Sequence, residues 1–318
     1  MSTRIQRQTE DNEETGLAKL VDKTFDTYQA TLFHAFQTER RARKKSEDSL
    51  KVALCSNLQL RLPKERETTQ SSTSKYQQPT RSKGQILSVQ FNTCPIEQWD
   101  SPFTPIEIVV RIKMDRLQKE IGGSVIMLPN KEQPENSDLF CSYPLLLVRA
   151  TRIVWLEIQT WLERSLDCHV RLLNLTPNIL SNITEWWAGQ LFDLPPSENE
   201  RIIVANKNIA ARNSKLELEL TVSGTRDLST INIAMSVPDI MNIFAVIRAS
   251  NISLLDAIQT QVHNSMRLQL GALRLTRIGT PIAYIDISQN KLKLMSNISK
   301  AQVIRLLEDF CEIGSTEH

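Results

Sequence analysis

Alternating apolar and polar residues predict several strands in the middle and the last third of the chain. Residues 87–91, 106–112, 216–222 and 231–237 each place an apolar side chain at every second position. In a strand, this spacing puts the apolar residues on one face and the polar residues on the other. A loop that contains glycine separates 216–222 from 231–237, which predicts an antiparallel hairpin.

Helical spacing separates these strands. It predicts helices at residues 153–166, from Thr176 to about 192, at 238–249, at 253–266 and at 299–312. Thr176-Pro177 is a typical helix start, and Ser253 with Asp256 is typical of a capping box. Near the beginning of the chain, the pattern predicts a helix over about 17–43 and a strand over 50–62.

The order of these elements predicts an α+β fold with mainly antiparallel sheet. A strand–helix–helix–strand order occurs twice, which suggests two lobes. We predict a disordered tail at 1–15, an N-terminal α+β lobe at 16–200 with a flexible insertion at 63–85, and a C-terminal α+β lobe at 201–318. A closing hairpin at 281–294, with its turn at Gln289-Asn290, ends the sheet of the second lobe.

Composition and charge limit which functions are compatible with the sequence. Hydrophobic residues make up 41% of the 318, and 38 Lys and Arg stand against 36 Asp and Glu, a net charge of +2. This balance excludes a dedicated polycation but permits a local basic surface. The five cysteines are scattered and form no C-x-x-C pair, which indicates reduced thiols. No run of 18 apolar residues occurs, so we expect no membrane partner.

The sequence carries no catalytic motif. Phosphate-binding glycine loops, H-E-x-x-H and G-x-S-x-G are all absent. Cys168 and His169 are adjacent, but neighbours in a strand point to opposite faces and cannot bind one metal together. We therefore expect no enzyme activity, no cofactor, no metal and no small-molecule substrate. An unrecognised hydrolase, which would need a deep pocket with convergent polar groups, is the remaining alternative.

Two groups of basic residues are candidates for contact with DNA phosphates. The first is a run of five cations in six residues, which we expect to close a helix, where it would also suit the helix dipole. The second group is a pair of arginines three positions apart in one strand, and their side chains would lie on opposite faces of a regular strand. These candidates are Arg40, Arg41, Arg43, Lys44 and Lys45, together with Arg274 and Arg277.

Two further features allow both a structural and a binding interpretation. The cluster Trp155, Trp161, Trp186 and Trp187 is typical of a core, and the alternative is a partner-binding anchor. The outer strand of the closing hairpin is either covered by the last helix or paired with a strand of another chain. Lys291 and Lys293, on one face of that strand, would guard it against uncontrolled pairing.

Four collinear stretches resemble the centromere protein L family. They are Phe140 to Leu147 (FCSYPLLL), Trp161 to His169 (WLERSLDCH), Leu180 to Ala188 (LSNITEWWA) and Ala272 to Thr280 (ALRLTRIGT). Their order and spacing over about 150 residues carry the resemblance. The adjacent pair Trp186-Trp187, His169 in place of an aromatic residue, and the insertion at 63–85 depart from the family pattern.

The resemblance implies curved, mainly antiparallel sheets backed by helices in two lobes. It implies a nuclear inner-kinetochore scaffold that forms a heterodimer with centromere protein N. It also implies membership of the constitutive centromere-associated network, contact with centromere protein C, and a place on centromeric nucleosomes and their DNA through the complex. We expect the partner interface to include seven residues of the last strands: Leu273, Leu275, Ile285, Ile287, Lys291, Leu292 and Leu294. The alternative function is a self-dimerising DNA-binding clamp of the recombination type.

Overall fold

The computed structural model describes residues 16–62, 83–115, 119–132, 139–193, 215–222, 230–248, 250, 252–267, 269–270, 273–295 and 300–315. The predicted tail at 1–15 and all but the last three residues of the predicted insertion lie outside them. The chain divides into two compact units. Unit 1 comprises the described residues of 16–19, Phe25–Leu173 and those from Leu307 onward, and unit 2 comprises Leu20–Thr24 and those of Asn174–Leu306. The predicted lobes, with their boundary at residue 200, stay a prediction.

Unit 1 is built on a mainly antiparallel sheet in the order β1-β8-β6-β5-β4-β3, and β9 also pairs with β1. Only β3 and β4 run parallel among its named strand pairs, and β2 forms a separate short ladder with β7. The elements are β1 Thr24–Ala30, β2 Phe33–His34, α1 Arg40–Leu58, β3 Leu60–Arg61, β4 Gly84–Thr93, β5 Ile106–Met114, β6 Lys119–Leu128, β7 Phe140–Cys141, β8 Leu145–Ala150, α2 Arg152–Ser165 and β9 Val170–Leu172.

Helices α1 and α2 cover one face of this sheet because the alternating residues of β5 present an apolar surface to them. Ile108 and Val110 of β5 are fully buried in one cluster with Leu54 of α1 and Trp155 and Trp161 of α2. Burying such side chains contributes about 1.5–3 kcal/mol each, so the alternation predicted for 106–112 accounts for much of this core.

The predictions for residues 17–62 were wrong except at 40–43, which are helical, and at 60–61, which form the short strand β3. Residues 24–30 form strand β1 where a helix was expected, and residues 40–58 form helix α1 where part of a strand was expected. In β1, Phe25, Thr27 and Gln29 are all buried. Thr27 and Gln29 are polar, so the two-residue period of this strand is hidden from a purely hydrophobic pattern.

Other parts of the chain contact the opposite face of the unit 1 sheet at one of its ends. Glu107 of β5 forms a 2.7 Å ion pair with Lys19, which ends a short 3-10 helix at Gly16–Lys19. Nearby, the end of the last helix contacts the chain before β8, and a Cβ at Gly314 would lie 2.8 Å from the carbonyl oxygen of Pro144. The other end of this face, where β5 ends and β6 begins, exposes charged side chains.

Helix α1 closes the free edge of β4. Among the described strands, β4 beyond Ile86 pairs only with β5, so its other edge would leave backbone groups exposed. The N–H of Phe91 donates to Oε1 of Glu47 at 3.0 Å, and the carbonyl oxygen of Phe91 accepts from Nη1 of Arg43 at 3.1 Å. Covering an edge strand in this way prevents unwanted pairing with other chains.

Unit 2 contains an antiparallel sheet in the order β11-β10-β12-β13-β14. The predicted hairpin at 216–237 and the closing hairpin at 281–294 are both confirmed. The elements are α3 Pro177–Asp193, β10 Lys215–Val222, β11 Thr230–Ser236, α4 Val237–Ile247, α5 Leu254–Met266, β12 Leu273–Gly279, β13 Ala283–Asp286, β14 Lys291–Leu294 and α6 Lys300–Ser315, of which the residues up to Leu306 belong to this unit.

The helices of unit 2 begin where the sequence predicted. The Ser253 hydroxyl accepts from the N–H of Asp256 at 3.0 Å and caps α5, as the capping box predicted. The carboxylate of Glu185 on α3 accepts from the N–H of Leu254 at 2.9 Å, which satisfies a second open donor of the same helix end. Together the two units confirm an α+β fold with mainly antiparallel sheet backed by helices.

Candidate interaction surfaces

The run of cations opens helix α1. Arg40 is the first residue of the helix, and the other four follow within its first six positions. The sequence predicts that the run closes a helix. Because the run opens one, the favourable interaction with the helix dipole does not apply. Positive side chains near the N-terminus meet the positive end of the dipole, which disfavours them by about 0.3–1 kcal/mol each. The fold alone therefore does not explain the run.

Two of the five cations hold local structure. Arg43 binds the Phe91 carbonyl group described above. Lys44 forms an ion pair of 3.3 Å with Glu47, and this hydrogen-bonded partner raises the pKa of the Lys44 ammonium group. Within the described part of the chain, the exposed side chains of Arg40, Arg41 and Lys45 have no hydrogen bond or ion pair. These three are the cations of α1 that remain available to a ligand.

Most of the residues predicted at the partner interface are packed inside unit 2. Leu273 is half-buried, and Lys291 and Lys293 lie on the same face of β14, opposite Asp286 and Tyr284. At the outer edge of β14, the N–H of Asp22 donates to the carbonyl oxygen of Leu294 at 2.8 Å. The remaining five are buried: Leu275, Ile285, Ile287, Leu292 and Leu294.

A bulge brings Arg274 and Arg277 to the same face of β12. Arg274 lies opposite Thr221 and Arg277 opposite Glu219, and the register shifts between these pairs. Since Thr221 and Glu219 are two residues apart in β10, their partners share a face. The expectation of opposite faces was therefore wrong, because it assumed a regular strand.

Arg277 is the centre of an ion-pair network on this face. Its guanidinium group donates to Oδ2 of Asp286 from Nε and Nη2, at 3.2 and 2.9 Å, and lies 2.6 Å from Oε2 of Glu219. The ring of Tyr284 lies beneath it, with the centroid 5.4 Å from Cζ. Arg277 thus has structural partners, whereas Arg274 is exposed.

The same network sets the protonation of Asp286. Burial by itself would raise the pKa of this carboxyl group. Hydrogen bonds from the Ser288 hydroxyl, Arg277 and the Gln289 N–H outweigh that effect and lower the pKa below its ordinary value. Asp286 therefore stays ionised and paired at neutral pH.

The cysteines and histidines give no sign of reactive chemistry. Burial raises the pKa of the thiols of Cys141 and Cys168 to about 12, so both stay protonated at neutral pH. Cys168 is buried, and the adjacent His169 is exposed. Across the described ranges, no group of three or more His, Cys, Asp or Glu is arranged to hold a metal, and no helix is long and apolar enough to span a membrane.

A cleft of about 400 Å³ opens in unit 2. Leucines of β10 and β12 line its floor, Leu273 and Leu275 among them, and the first turns of α3 and α5 form its walls. Of its lining residues, all of them described, Asp256 and Arg274 are the two that carry charge. The Ser253 hydroxyl accepts from the N–H of Asp256, and Asp256 and Arg274 form no ion pair with each other.

Two surfaces were missed by sequence reasoning. One is the outer strand β11 together with two exposed apolar residues, Val246 near the end of α4 and Ile252 shortly after that helix. The other is the open end of the unit 1 sheet, where Arg111 and Arg149 are exposed. The alternation of cations with buried aliphatic residues around Ile112 was the available signal for the second surface. In the sequence, this alternation predicts a strand but does not show which face its cations share.

Comparison with known proteins gives one family. The chain matches the family described as centromere protein L over residues 19–314 of 318. No curated protein sequence matches it. Proteins of this family are structural components of the kinetochore and associate with other subunits of the centromere-associated complex. The match covers nearly the whole chain, and the chain therefore belongs to the centromere protein L family, whose members act in the nucleus at the centromere and kinetochore in chromosome segregation.

Proposed function

We propose that this chain is a non-catalytic scaffold subunit of the inner kinetochore that forms a heterodimer with centromere protein N through unit 2. In the heterodimer it helps to assemble the centromere-associated network on centromeric nucleosomes. Centromere protein C is a further partner of this assembly. The observation that carries the proposal is the unguarded outer strand of the unit 2 sheet.

Strand β11 is suited to pairing with a strand of another chain. Among the described strands it pairs only with β10, and its seven residues, Thr230–Ser236, include no charge, proline or glycine. Proteins usually protect such an edge with a charge, a proline or a covering element. Its apolar side chains, Ile231, Ile233 and Met235, are only half-buried.

Apolar residues near this strand in sequence extend the candidate surface. Helix α4 begins directly after β11 and packs against it. Val246 at its end is 79% exposed, and Ile252 shortly after it is 54% exposed. Exposed apolar side chains of this kind are typical anchors in a partner interface. The β11 edge and Val246 thus supply the two components of a strand-pairing interface, backbone hydrogen bonds and side-chain anchors.

The seven partner residues predicted in β12 to β14 remain part of the proposal. The buried aliphatic residues among them shape the sheet that presents the β11 edge. Lys291 and Lys293 share one face of β14 and are half-buried, and the ammonium group of Lys291 donates to Oε1 of Gln289 at 2.8 Å. We propose that this pair meets acidic groups of the partner.

The basic end of α1 gives the proposal its contact with DNA. Arg40, Arg41 and Lys45 are exposed and oppose the dipole of their own helix. An anionic ligand such as a DNA phosphate would offset that cost. Of the other candidates, Arg274 is exposed, whereas Arg43, Lys44 and Arg277 are engaged within the protein.

Co-expression with centromere protein N tests the heterodimer. We expect a stable 1:1 complex in gel filtration with light scattering. Val246→Glu combined with Ala234→Lys, which charges the β11 edge, should abolish co-elution while the chain keeps its thermal stability. The matched control is Ile153→Glu, which changes an exposed residue of α2 in unit 1 and should leave the complex intact. Intact binding by the β11 variant would contradict the proposed interface.

The recombination-type clamp makes a different prediction for the purified chain. A clamp would form a homodimer without centromere protein N, and its DNA affinity would depend on that dimer. Light scattering of the chain alone separates the two functions. A monomer that dimerises only with centromere protein N supports the scaffold.

A further inference from the structure

Three cations lie together on the open end of the unit 1 sheet. Arg111 and Lys113 of β5 and Arg149 of β8 are all exposed. Arg111 is paired in register with Gly122 of β6, and Arg149 with Ser124. Residues two apart in one strand share a face, so all three cations project from the face that carries Glu107. The helix-covered core lies on the other face of the sheet.

These cations have no structural task within the described part of the chain. The side chains of Arg111, Lys113 and Arg149 form no ion pair or hydrogen bond there, in contrast to Lys19 and Glu107 at the covered end of the same face. Glu120, the residue opposite Lys113, is the one acidic side chain in the same register rows. The open end of the face therefore carries a net positive charge.

The surface between the arginines carries small side chains, and its apolar member is Val109 of β5, which is paired with Ser124. Gly122 lies between them in β6, and a Cβ there would come within 2.0 Å of the carbonyl oxygen of Val110. Only glycine permits this close approach of β5 and β6, so no side chain stands beside Arg111 in β6. Small polar side chains continue the surface on either side, namely Ser88 of β4 and Ser124 of β6.

The spacing of the cations suits a chain of phosphates. Strand geometry puts the Cα atoms of Arg111 and Arg149 about 12 Å apart and those of Arg111 and Lys113 about 7 Å apart. Nucleic acids present phosphates at regular short intervals, and proteins contact them mainly with Arg, Lys, Ser and backbone N–H groups. A peptide ligand would need a free strand edge or an apolar pocket, and neither occurs among the residues of this face just described.

We infer that the open face of the unit 1 sheet binds the sugar–phosphate backbone of a nucleic acid, with Arg111 and Arg149 as its main phosphate contacts and Lys113 as an auxiliary one. The inference deepens the proposed association with centromeric DNA and rests on that part of the proposed function. It adds a surface separate from the first turn of α1.

The test uses the full chain and a 30-base-pair duplex DNA of arbitrary sequence. Binding is followed by fluorescence anisotropy from 50 to 200 mM KCl. Each lost phosphate contact lowers the slope of log affinity against log salt by roughly 0.9. Arg111→Gln with Arg149→Gln should therefore lower the slope by about 2. Arg111→Lys with Arg149→Lys should keep it near the wild-type value.

A matched control removes the same charge elsewhere in unit 1. Arg152→Gln with Arg164→Gln changes two exposed arginines of α2 and should leave the slope unchanged. Because all four arginines are exposed, each variant should melt at the wild-type temperature. An α1 variant, Arg40→Gln with Arg41→Gln, is measured in parallel. If the salt slope falls only in that α1 variant, this inference is overturned and the proposed function stands.

Two other outcomes would also overturn it. One is a wild-type chain that binds neither the duplex nor single-stranded DNA or RNA of equal length at 50 mM KCl. The other is a poly-glutamate peptide that binds the wild-type chain more tightly than DNA and loses affinity on Arg111→Gln with Arg149→Gln. Single-stranded DNA and RNA of equal length, measured against the duplex, identify which backbone the face prefers. Tighter binding of any of these nucleic acids than of the poly-glutamate peptide supports the inference.

Discussion

Nη1 of Arg43 donates a hydrogen bond of 3.1 Å to the carbonyl oxygen of Phe91. One turn later on α1, Glu47 accepts from the N–H of the same residue at 3.0 Å. A helix thereby satisfies both backbone groups that an edge strand would present to water or to another chain. Arg43, which the sequence predicts to contact DNA, therefore links α1 to β4 within the fold.

Removing Glu47 should destabilise unit 1. Glu47→Ala leaves the half-buried N–H of Phe91 without its acceptor, which costs about 1–3 kcal/mol. The midpoint of urea unfolding measures the change. Asp48→Ala is the matched control, because Asp48 is 61% exposed and forms only a surface pair with Lys51. That control should shift stability by less than about 0.5 kcal/mol. Equal effects of the two variants would contradict the role of Glu47.

Reversing charge at the start of α1 should stabilise the protein while weakening its association with DNA. Arg40→Glu with Arg41→Glu replaces unfavourable charges at the positive end of the helix dipole by favourable ones. The gain is about 0.3–1 kcal/mol for each position. Thermal melting reports the first effect, and the DNA affinity of the complex with centromere protein N reports the second. Unchanged DNA affinity would leave these residues as a solvated helix face.

The Arg277–Asp286 pair should contribute pH-dependent stability. The folded pKa of Asp286 lies below the unfolded value of about 3.9, so this contribution is complete above that value and is lost as the pH falls through the folded pKa. Asp286→Asn should lower stability at pH 7 by about 1–3 kcal/mol. Urea unfolding from pH 7 to pH 3 should show the difference from wild type shrinking. A constant difference would mean that Asp286 does not titrate with folding.

Gly123 and Gly279 should respond very differently to alanine. A Cβ at Gly123 would lie 2.3 Å from Cα of Ala150, a backbone atom that cannot give way. Gly123→Ala should therefore cost about 3 kcal/mol or more. At Gly279 the nearest atom, Cβ of Glu217, is 3.4 Å away, an ordinary contact. Gly279→Ala should change the melting temperature little, and a comparable loss at both sites would contradict the strand spacing.

Thiol labelling should separate Cys55 from the other four cysteines. Cys55 is half-buried on α1, while Cys94, Cys141, Cys168 and Cys311 are buried. A disulfide reagent at pH 8 should therefore modify Cys55 first and all five thiols only in urea. Cys55→Ser removes the early reaction and serves as the control. Early modification of a second thiol would indicate local opening of its surroundings.

The fold of the last two-thirds of the chain was largely predictable from sequence. There, burial and hydrophobicity coincide, as in Leu218 and Leu220 of β10, and Ser253 caps α5 as its sequence predicts. They diverge in β1, where polar Thr27 and Gln29 are buried between neighbouring strands. An apolar period cannot detect a strand whose buried positions are polar.

The interaction surfaces were less predictable, because they depend on register and topology. The bulge that aligns Arg274 with Arg277 leaves no mark in residue spacing. Similarly, β11 is an edge strand only because β12, far along the chain, pairs with the other side of β10. No local pattern distinguishes it from a central strand. Composition likewise concealed the basic surfaces, since the net charge is only +2.

The pairing of Asp22 with Leu294 has a consequence for stoichiometry. A sheet with two open edges can add copies at both ends and polymerise. In unit 2, the backbone at Asp22 engages β14, while β11 remains open among the described strands. Addition of one partner strand would consume that opening. Growth by strand addition would thus terminate after a single step and give a discrete heterodimer in place of a fibre.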